Sequence, residues 1–160
     1  MNDKHTWKLI VTGVLLLCVM VGIYILSDEP ATQSAALSSN FLKTFLGRMI
    51  EKLLPPLTGE GIHKDIRKLA HIFEYFCLGS CAALFFRELW RESPLRVTSA
   101  AAELFSLLYS VSDEYHQTFI PGRSGQVRDV LFDLSGITAG VLLLSLLIVL
   151  AGKRRKRRPV

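Results

Sequence analysis

A long apolar block without a single charge constrains this chain more than any other feature of its sequence. Residues 9–26 contain no charged side chain over 18 positions, and two further apolar blocks follow at 69–86 and 130–151. A helix of about 20 apolar residues crosses the hydrocarbon core of a bilayer. Half of the 160 residues are hydrophobic, and the mean hydropathy is positive at +0.34. The sequence therefore predicts an all-α membrane protein.

Four transmembrane helices are predicted, over about residues 9–26, 69–86, 95–111 and 130–151. Between the first and second spans, apolar residues recur at steps of one, three and four over 41–54, and Pro55 ends the pattern. This spacing predicts an amphipathic helix that is too short to span a bilayer. The helix lies in the membrane interface or packs on the other helices. The chain is predicted to be one domain that ends in a basic tail at 153–160.

The basic residues predict the orientation of the chain. With four spans both termini lie on one side, which carries eleven Lys and Arg residues against eight on the other side. Cytoplasmic segments of membrane proteins carry this excess. Both termini and the turn at 87–96 are therefore predicted to lie on the cytoplasmic side of a plasma membrane. The basic run at 153–158 directly follows an apolar block, which is typical of an anchor on anionic lipid rather than of a nucleic-acid site.

Ionisable residues within or beside the spans gather at the opposite, extracytoplasmic level. His71 and Glu74 share one face of the second span. A polar stripe on the third helix runs from Glu103 through Asp113 to Gln117, and Asp133 lies near the start of the fourth span. An acid inside a span costs on the order of 2.5–3.5 kcal/mol, so such residues usually face the interior of a bundle. The polar faces of three helices are therefore predicted to meet.

The predicted ligand-binding residues share this level and carry a charge, a titratable ring or an amide: Arg67, Lys68, His71, Glu74, Asp113, Glu114, Gln117, Arg123, Asp129 and Asp133. Buried carboxylates need a cation or a proton, and the loop that holds Arg123 lies between two acid-bearing helices. Arg123 is therefore the predicted central cation. Gly136 and Gly140 are predicted to allow close helix packing. Tyr75 and Tyr115 are interpreted as anchors at the membrane interface.

Two motifs at these positions resemble the VanZ-like family of small bacterial membrane proteins. The first is Arg-Lys-Leu-Ala-His-Ile-Phe-Glu-Tyr-Phe-Cys-Leu-Gly at 67–79, and the second is Ser-Asp-Glu-Tyr-His-Gln-Thr-Phe-Ile-Pro-Gly-Arg-Ser at 112–124, continued by Asp129, Asp133 and Gly136. With the surrounding spans they cover about residues 60–150. The resemblance implies a multi-span protein of the bacterial cell envelope, and the family takes its name from a member linked to resistance to a lipoglycopeptide antibiotic. It implies no particular reaction.

The preferred function is binding of an amphiphile or a lipid-linked headgroup at the outer polar pocket. Arginine and lysine side chains suit its phosphate or carboxylate. Such a protein could contribute to glycopeptide or lipoglycopeptide resistance by altering access of a lipidated drug to the membrane. Membrane lipid or a lipid-linked envelope molecule is the expected partner, and no cofactor is expected.

Two other functions stay open. An intramembrane acid–base enzyme would act on a lipid-anchored substrate and would need water or Ser124 as nucleophile. Its acid–base candidates are His71, Glu74, Asp113 and Glu114. A less favoured variant of this enzyme holds a divalent metal on His71, Glu74, Asp113 and His116. A proton-coupled carrier or structural subunit would use Glu103 as part of a proton path and, with only four spans, would need homo-oligomers.

Overall fold

Four α-helices form an up-and-down bundle in the computed structural model, which describes residues 3–28, 62–123 and 125–156. The helices are α1 (Asp3–Ser27), α2 (Ile62–Leu89), α3 (Leu95–Gln117) and α4 (Val127–Lys156). Contacts between the start of one helix and the later part of the next establish the antiparallel order. A hydrogen bond of 3.0 Å joins the His5 ring on α1 to the carbonyl oxygen of Glu88 on α2. The hydroxyls of Ser99 on α3 and Ser145 on α4 lie 2.9 Å apart.

The all-helical fold is confirmed over the described residues, but only part of the predicted membrane topology is. Three segments are long and apolar enough to cross a membrane: Asp3–Ser27, Lys68–Leu89 and Val127–Lys153. Helix α3 is long enough, but polar residues such as Glu103 and Ser110 lower its hydropathy, so the fourth span stays a prediction. The amphipathic helix predicted at 41–54 lies outside the described residues, as do the side chain of Arg67 and the end of the basic tail.

Proline and glycine set the ends of α3. Pro94 precedes its first turn, where the backbone N–H groups of Val97 and Thr98 donate to the Pro94 carbonyl oxygen. After Gln117 the chain turns at Pro121, which has no N–H to continue a helix. Gly122 then adopts a φ of 78°, a left-handed conformation that favours glycine. This turn reverses the chain, so that the loop after α3 lies at the same end of the bundle as the start of α4.

Helix α3 carries its polar side chains inward and its apolar side chains outward. Ser106, Ser110 and Asp113 are buried, whereas Leu104 and Leu108 are about three-fifths exposed, at 59% and 61%. Most large apolar side chains of α1 and α4 are exposed in the same way. A bundle with this distribution has an apolar outer surface and a polar seam, which suits a lipid solvent.

The most extensive interface of the bundle joins α2 to α4. The two backbones approach closely at Gly136 and Gly140, where an added Cβ would clash with the carbonyl oxygens of Ile72 and Phe76, respectively. The predicted packing role of this glycine pair is confirmed. Close approach brings the N-terminal halves of α2 and α4 together, and these halves carry several of the predicted binding residues.

Replacing Gly136 by alanine is expected to destabilise the bundle by about 1–3 kcal/mol, because the new methyl group meets the α2 backbone, which cannot move aside easily. Gly22→Ala is the matched control, since nothing lies within 4 Å of a Cβ at that position. Equilibrium unfolding in a mild detergent measures both variants. Equal stability of the two would contradict the close α2–α4 contact.

Candidate functional site

The carboxylate of Asp113 joins three helices at one end of the bundle. Its Oδ2 atom accepts hydrogen bonds from Ser27 Oγ on α1 at 2.9 Å, Tyr75 Oη on α2 at 3.0 Å and Gln117 Nε2 on α3 at 3.1 Å. Asp113 is 5% exposed and Tyr75 is fully buried. A buried carboxylate oxygen with three donors is well satisfied, so this arrangement stabilises one register of α1, α2 and α3.

Asp133 on α4 is the most deeply buried acid of this region, at 2% exposure. Its Oδ2 atom accepts a hydrogen bond of 2.8 Å from Ser110 Oγ on α3. Its Oδ1 atom is buried, and no hydrogen bond reaches it from the described residues. Asp133 thus presents one satisfied and one unsatisfied oxygen, unlike Asp113.

Glu114 attaches the loop after α3 to that helix. Its Oε1 atom accepts a hydrogen bond of 2.7 Å from the backbone N–H of Gln126. Gly125 lies so close that an added Cβ would come within 2.9 Å of the Glu114 carbonyl oxygen. Burial raises the pKa of the Glu114 carboxyl above its usual value, and the Gln126 N–H opposes this rise because it stabilises the charged form. The loop therefore covers one side of the acid-bearing end of α3.

Arg123 attaches the same loop to α1. Its Nη2 atom donates a hydrogen bond of 3.0 Å to the carbonyl oxygen of Leu26. Its positive charge also lies close enough to interact electrostatically with Glu74 and Glu114. The loop side chain thus lies among acids of two helices, which is the position that the sequence predicted for the central cation.

A polar pocket opens between the N-terminal halves of α2 and α4 and the end of α3. It has a volume of about 580 Å³ with its open mouth included. The lining side chains come from three helices and the loop: Lys68, His71, Glu114, Gln117, Gly122, Arg123, Gln126, Asp129, Phe132 and Asp133.

Most of the predicted binding residues are brought together here. Seven of them line the pocket: Lys68, His71, Glu114, Gln117, Arg123, Asp129 and Asp133. Two others lie beside it, since Asp113 is hydrogen-bonded to Gln117 and Glu74 Oε2 lies 3.9 Å from His71 Nδ1. The side chain of Arg67 lies outside the described residues. The structure thus places these side chains in one region, and their role in binding stays a prediction.

The interpretation of Tyr75 as an interface anchor is wrong, because its ring is fully buried and its hydroxyl donates to Asp113. Tyr115, by contrast, is 67% exposed. Tyr75 follows His71 by four residues, so helical spacing could have placed it on the inner face. Sequence reasoning also missed Ser27 and Gln126, for which no periodic pattern was available.

The proposed metal set on His71, Glu74, Asp113 and His116 is wrong. The His116 ring stacks on Tyr24 at a centroid distance of 5.1 Å, and its Nε2 atom lies 3.4 Å from Asp28 Oδ1. These contacts turn the ring toward the end of α1. Within the described part of the chain, no three His, Cys, Asp or Glu side chains form a group that could hold a metal ion.

Glu103 lies apart from the pocket and has a partner of its own. Its Oε1 atom accepts a hydrogen bond of 2.5 Å from Thr138 Oγ1 on α4. Glu103 lies in the middle of α3, and this contact gives its carboxylate a structural role as a link between α3 and α4.

Replacing Asp113 by alanine is expected to lower the free energy of unfolding by about 3 kcal/mol or more, because buried donors on three helices lose their acceptor. Asp28→Ala is the control, since the Asp28 side chain is 59% exposed and its loss is expected to cost less than about 1 kcal/mol. Denaturant titration in detergent followed by circular dichroism compares them. Similar losses in both variants would contradict a structural role for the Asp113 carboxylate.

One of three comparisons with known proteins supports the family resemblance of the motifs at 67–79 and 112–124. A search of the curated proteins and a search of the solved structures each found no significant match. The family model described as VanZ/LLP1 matches residues 12–149, from the first half of α1 into the last part of α4. With this match and three helices apolar enough to span a bilayer, the chain is a membrane protein that belongs to the VanZ/LLP1 family.

Proposed function

We propose that this protein binds the polar headgroup of an amphiphilic or lipid-linked molecule of the bacterial envelope. The position of the pocket is the observation that carries the proposal. Lys68 and Val127 are the first residues of two apolar segments, Lys68–Leu89 and Val127–Lys153, and the pocket opens among the side chains around them. A headgroup in this pocket would lie where the polar and apolar surfaces of the protein meet.

The surface beside the pocket suits the apolar part of such a ligand. Leu69 and Phe73 on α2 are 51% and 65% exposed, and Leu131 on α4 is 62% exposed. These residues lie on the same helical turns as Lys68, His71 and Asp129. An acyl or prenyl chain could lie along them while the headgroup occupies the pocket.

Two cations of the pocket suit the anionic group of a headgroup. Lys68 and Arg123 both line it. The guanidinium of Arg123 has five N–H donors in a planar fork, a geometry that matches phosphate and carboxylate. Charge-assisted hydrogen bonds of this kind are about twice as strong as neutral ones.

We further propose that α3 is the fourth span and that the pocket is extracytoplasmic. The exposed face of α3 is apolar and its buried face is polar, an arrangement that is favourable in lipid and unfavourable in water. The excess of basic residues on one side supports an orientation with both termini in the cytoplasm. A pocket on the outer face could alter the access of a glycopeptide or lipoglycopeptide drug to the membrane.

One observation favours the alternative of an acid–base enzyme. His71 lines the pocket and its Nδ1 atom lies 3.9 Å from Glu74 Oε2, close enough for the pair to tighten on ligand binding. A chemical change in a bound lipid that requires His71 would support an enzyme. Recovery of the lipid unchanged would support binding alone.

Protein purified in mild detergent is expected to retain phospholipid, and Lys68→Ala is expected to lower the retained amount about tenfold, which corresponds to the loss of one charge-assisted contact. Lipid extraction and mass spectrometry measure the amount per protein. Lys8→Ala is the control, because Lys8 is exposed near the start of α1, at the opposite end of the bundle. Equal retention by the two folded variants would contradict binding at the pocket.

Labelling in intact cells tests the orientation. In a background without Cys18, Cys77 and Cys81, a Pro121→Cys variant is expected to react with a membrane-impermeant maleimide. A Glu92→Cys variant, in the turn between α2 and α3, is expected to react only after lysis. Both positions are exposed. The reverse pattern would place the pocket on the cytoplasmic side.

A further inference from the structure

The buried oxygen of Asp133 indicates what the headgroup must carry. Asp133 is 2% exposed and lines the pocket, and its Oδ2 atom already accepts a hydrogen bond from Ser110. No hydrogen bond from the described residues reaches Oδ1. A buried acceptor left without a donor carries a free-energy cost, because it has lost its hydrogen bonds to water and gained none in return. A ligand that brings an N–H or O–H donor to this atom would recover that cost.

The charges of the pocket decide between the possible donors. Among the lining residues that the structure describes are three carboxylates, those of Glu114, Asp129 and Asp133, and two permanent cations, Lys68 and Arg123. A headgroup whose only charge is a phosphate would add negative charge beside these three acids. A headgroup that also carries an ammonium adds no net charge and offers a positive group to the acids.

We infer that the pocket is selective for a zwitterionic headgroup, with a phosphate or carboxylate at Lys68 and Arg123 and a primary ammonium that donates to Oδ1 of Asp133. The inference rests on the proposed headgroup-binding function and specifies its ligand class. A primary ammonium has three N–H donors, whereas a quaternary ammonium has none and cannot satisfy the buried oxygen. The pocket is therefore expected to distinguish headgroups by their amine as well as by their anionic group.

The arrangement of the acids agrees with this class of ligand. Asp129 and Asp133 are four residues apart on α4, about 6 Å along the helix axis. An ammonium that enters past Asp129 would remain near a carboxylate on its way to Asp133.

Competition among lipids tests the inference. The protein is equilibrated in detergent with equal amounts of phosphatidylethanolamine, phosphatidylcholine and phosphatidylglycerol that have matched acyl chains, and the lipids it retains are quantified by mass spectrometry. The wild type is expected to enrich phosphatidylethanolamine about tenfold over each of the other two, the equivalent of one recovered hydrogen bond to a charged group.

Asp133→Asn is expected to abolish this preference, because the amide keeps an acceptor for Ser110 but loses the charge. Glu103→Gln is the matched control, since it neutralises another acid of the bundle whose carboxylate is bonded to Thr138, away from the pocket. It is expected to keep the preference. Retention of the preference by Asp133→Asn would overturn the inference.

The remaining outcomes separate this inference from the proposed function. Lipid retention that depends on Lys68 but does not favour the primary amine would overturn the inference and leave headgroup binding intact. Absence of any lipid retention that depends on Lys68 would overturn both. A parallel titration with soluble phosphoethanolamine distinguishes a lipid from a free headgroup. The lipid is expected to bind at least about tenfold more tightly, and equal affinities would overturn the lipid assignment.

Discussion

Three hydrogen bonds to one carboxylate oxygen of Asp113 hold the polar end of this bundle together. Their donors come from Ser27 on α1, Tyr75 on α2 and Gln117 on α3. In a lipid environment apolar surfaces do not drive helices together, because the surrounding chains are equally apolar. Directional contacts between buried polar groups then decide which helix faces meet. The pocket exists because these contacts, with the bond from Ser110 to Asp133, bring the polar faces to one level.

Close backbone packing between α2 and α4 stabilises the bundle in addition to these hydrogen bonds. Gly136 and Gly140 let α4 approach the carbonyl groups of α2, and the apolar side chains that a soluble protein would bury remain on the outside. The same close approach places Asp129 and Asp133 opposite Lys68 and His71 around the pocket. The α2–α4 packing and the geometry of the pocket therefore both depend on Gly136 and Gly140. A change in the α2–α4 contact would also alter the pocket.

The two buried aspartates of the site differ in a way that matters for function. Asp113 is satisfied by protein donors, which suits a structural role, whereas Asp133 has an oxygen in the pocket wall that no described residue satisfies. A ligand gains the most binding free energy where it supplies a hydrogen bond to a polar group that the protein leaves unpaired. This difference makes Asp133 the residue on which selectivity for a headgroup should depend, while Lys68 and Arg123 contribute the attraction for its anionic part.

The sequence by itself determined the helices and the inward direction of the polar faces, because helical periodicity and the cost of charge in an apolar segment act within one segment. His71, Asp113 and Asp133 could be placed in one region on these grounds. Only the tertiary structure decided the partners. Tyr75 donates to Asp113, Thr138 donates to Glu103, and the His116 ring lies beside Asp28. Partners depend on the register and crossing of helices, which arise from side chains in contact across α1 to α4. No spacing along a single helix contains that information.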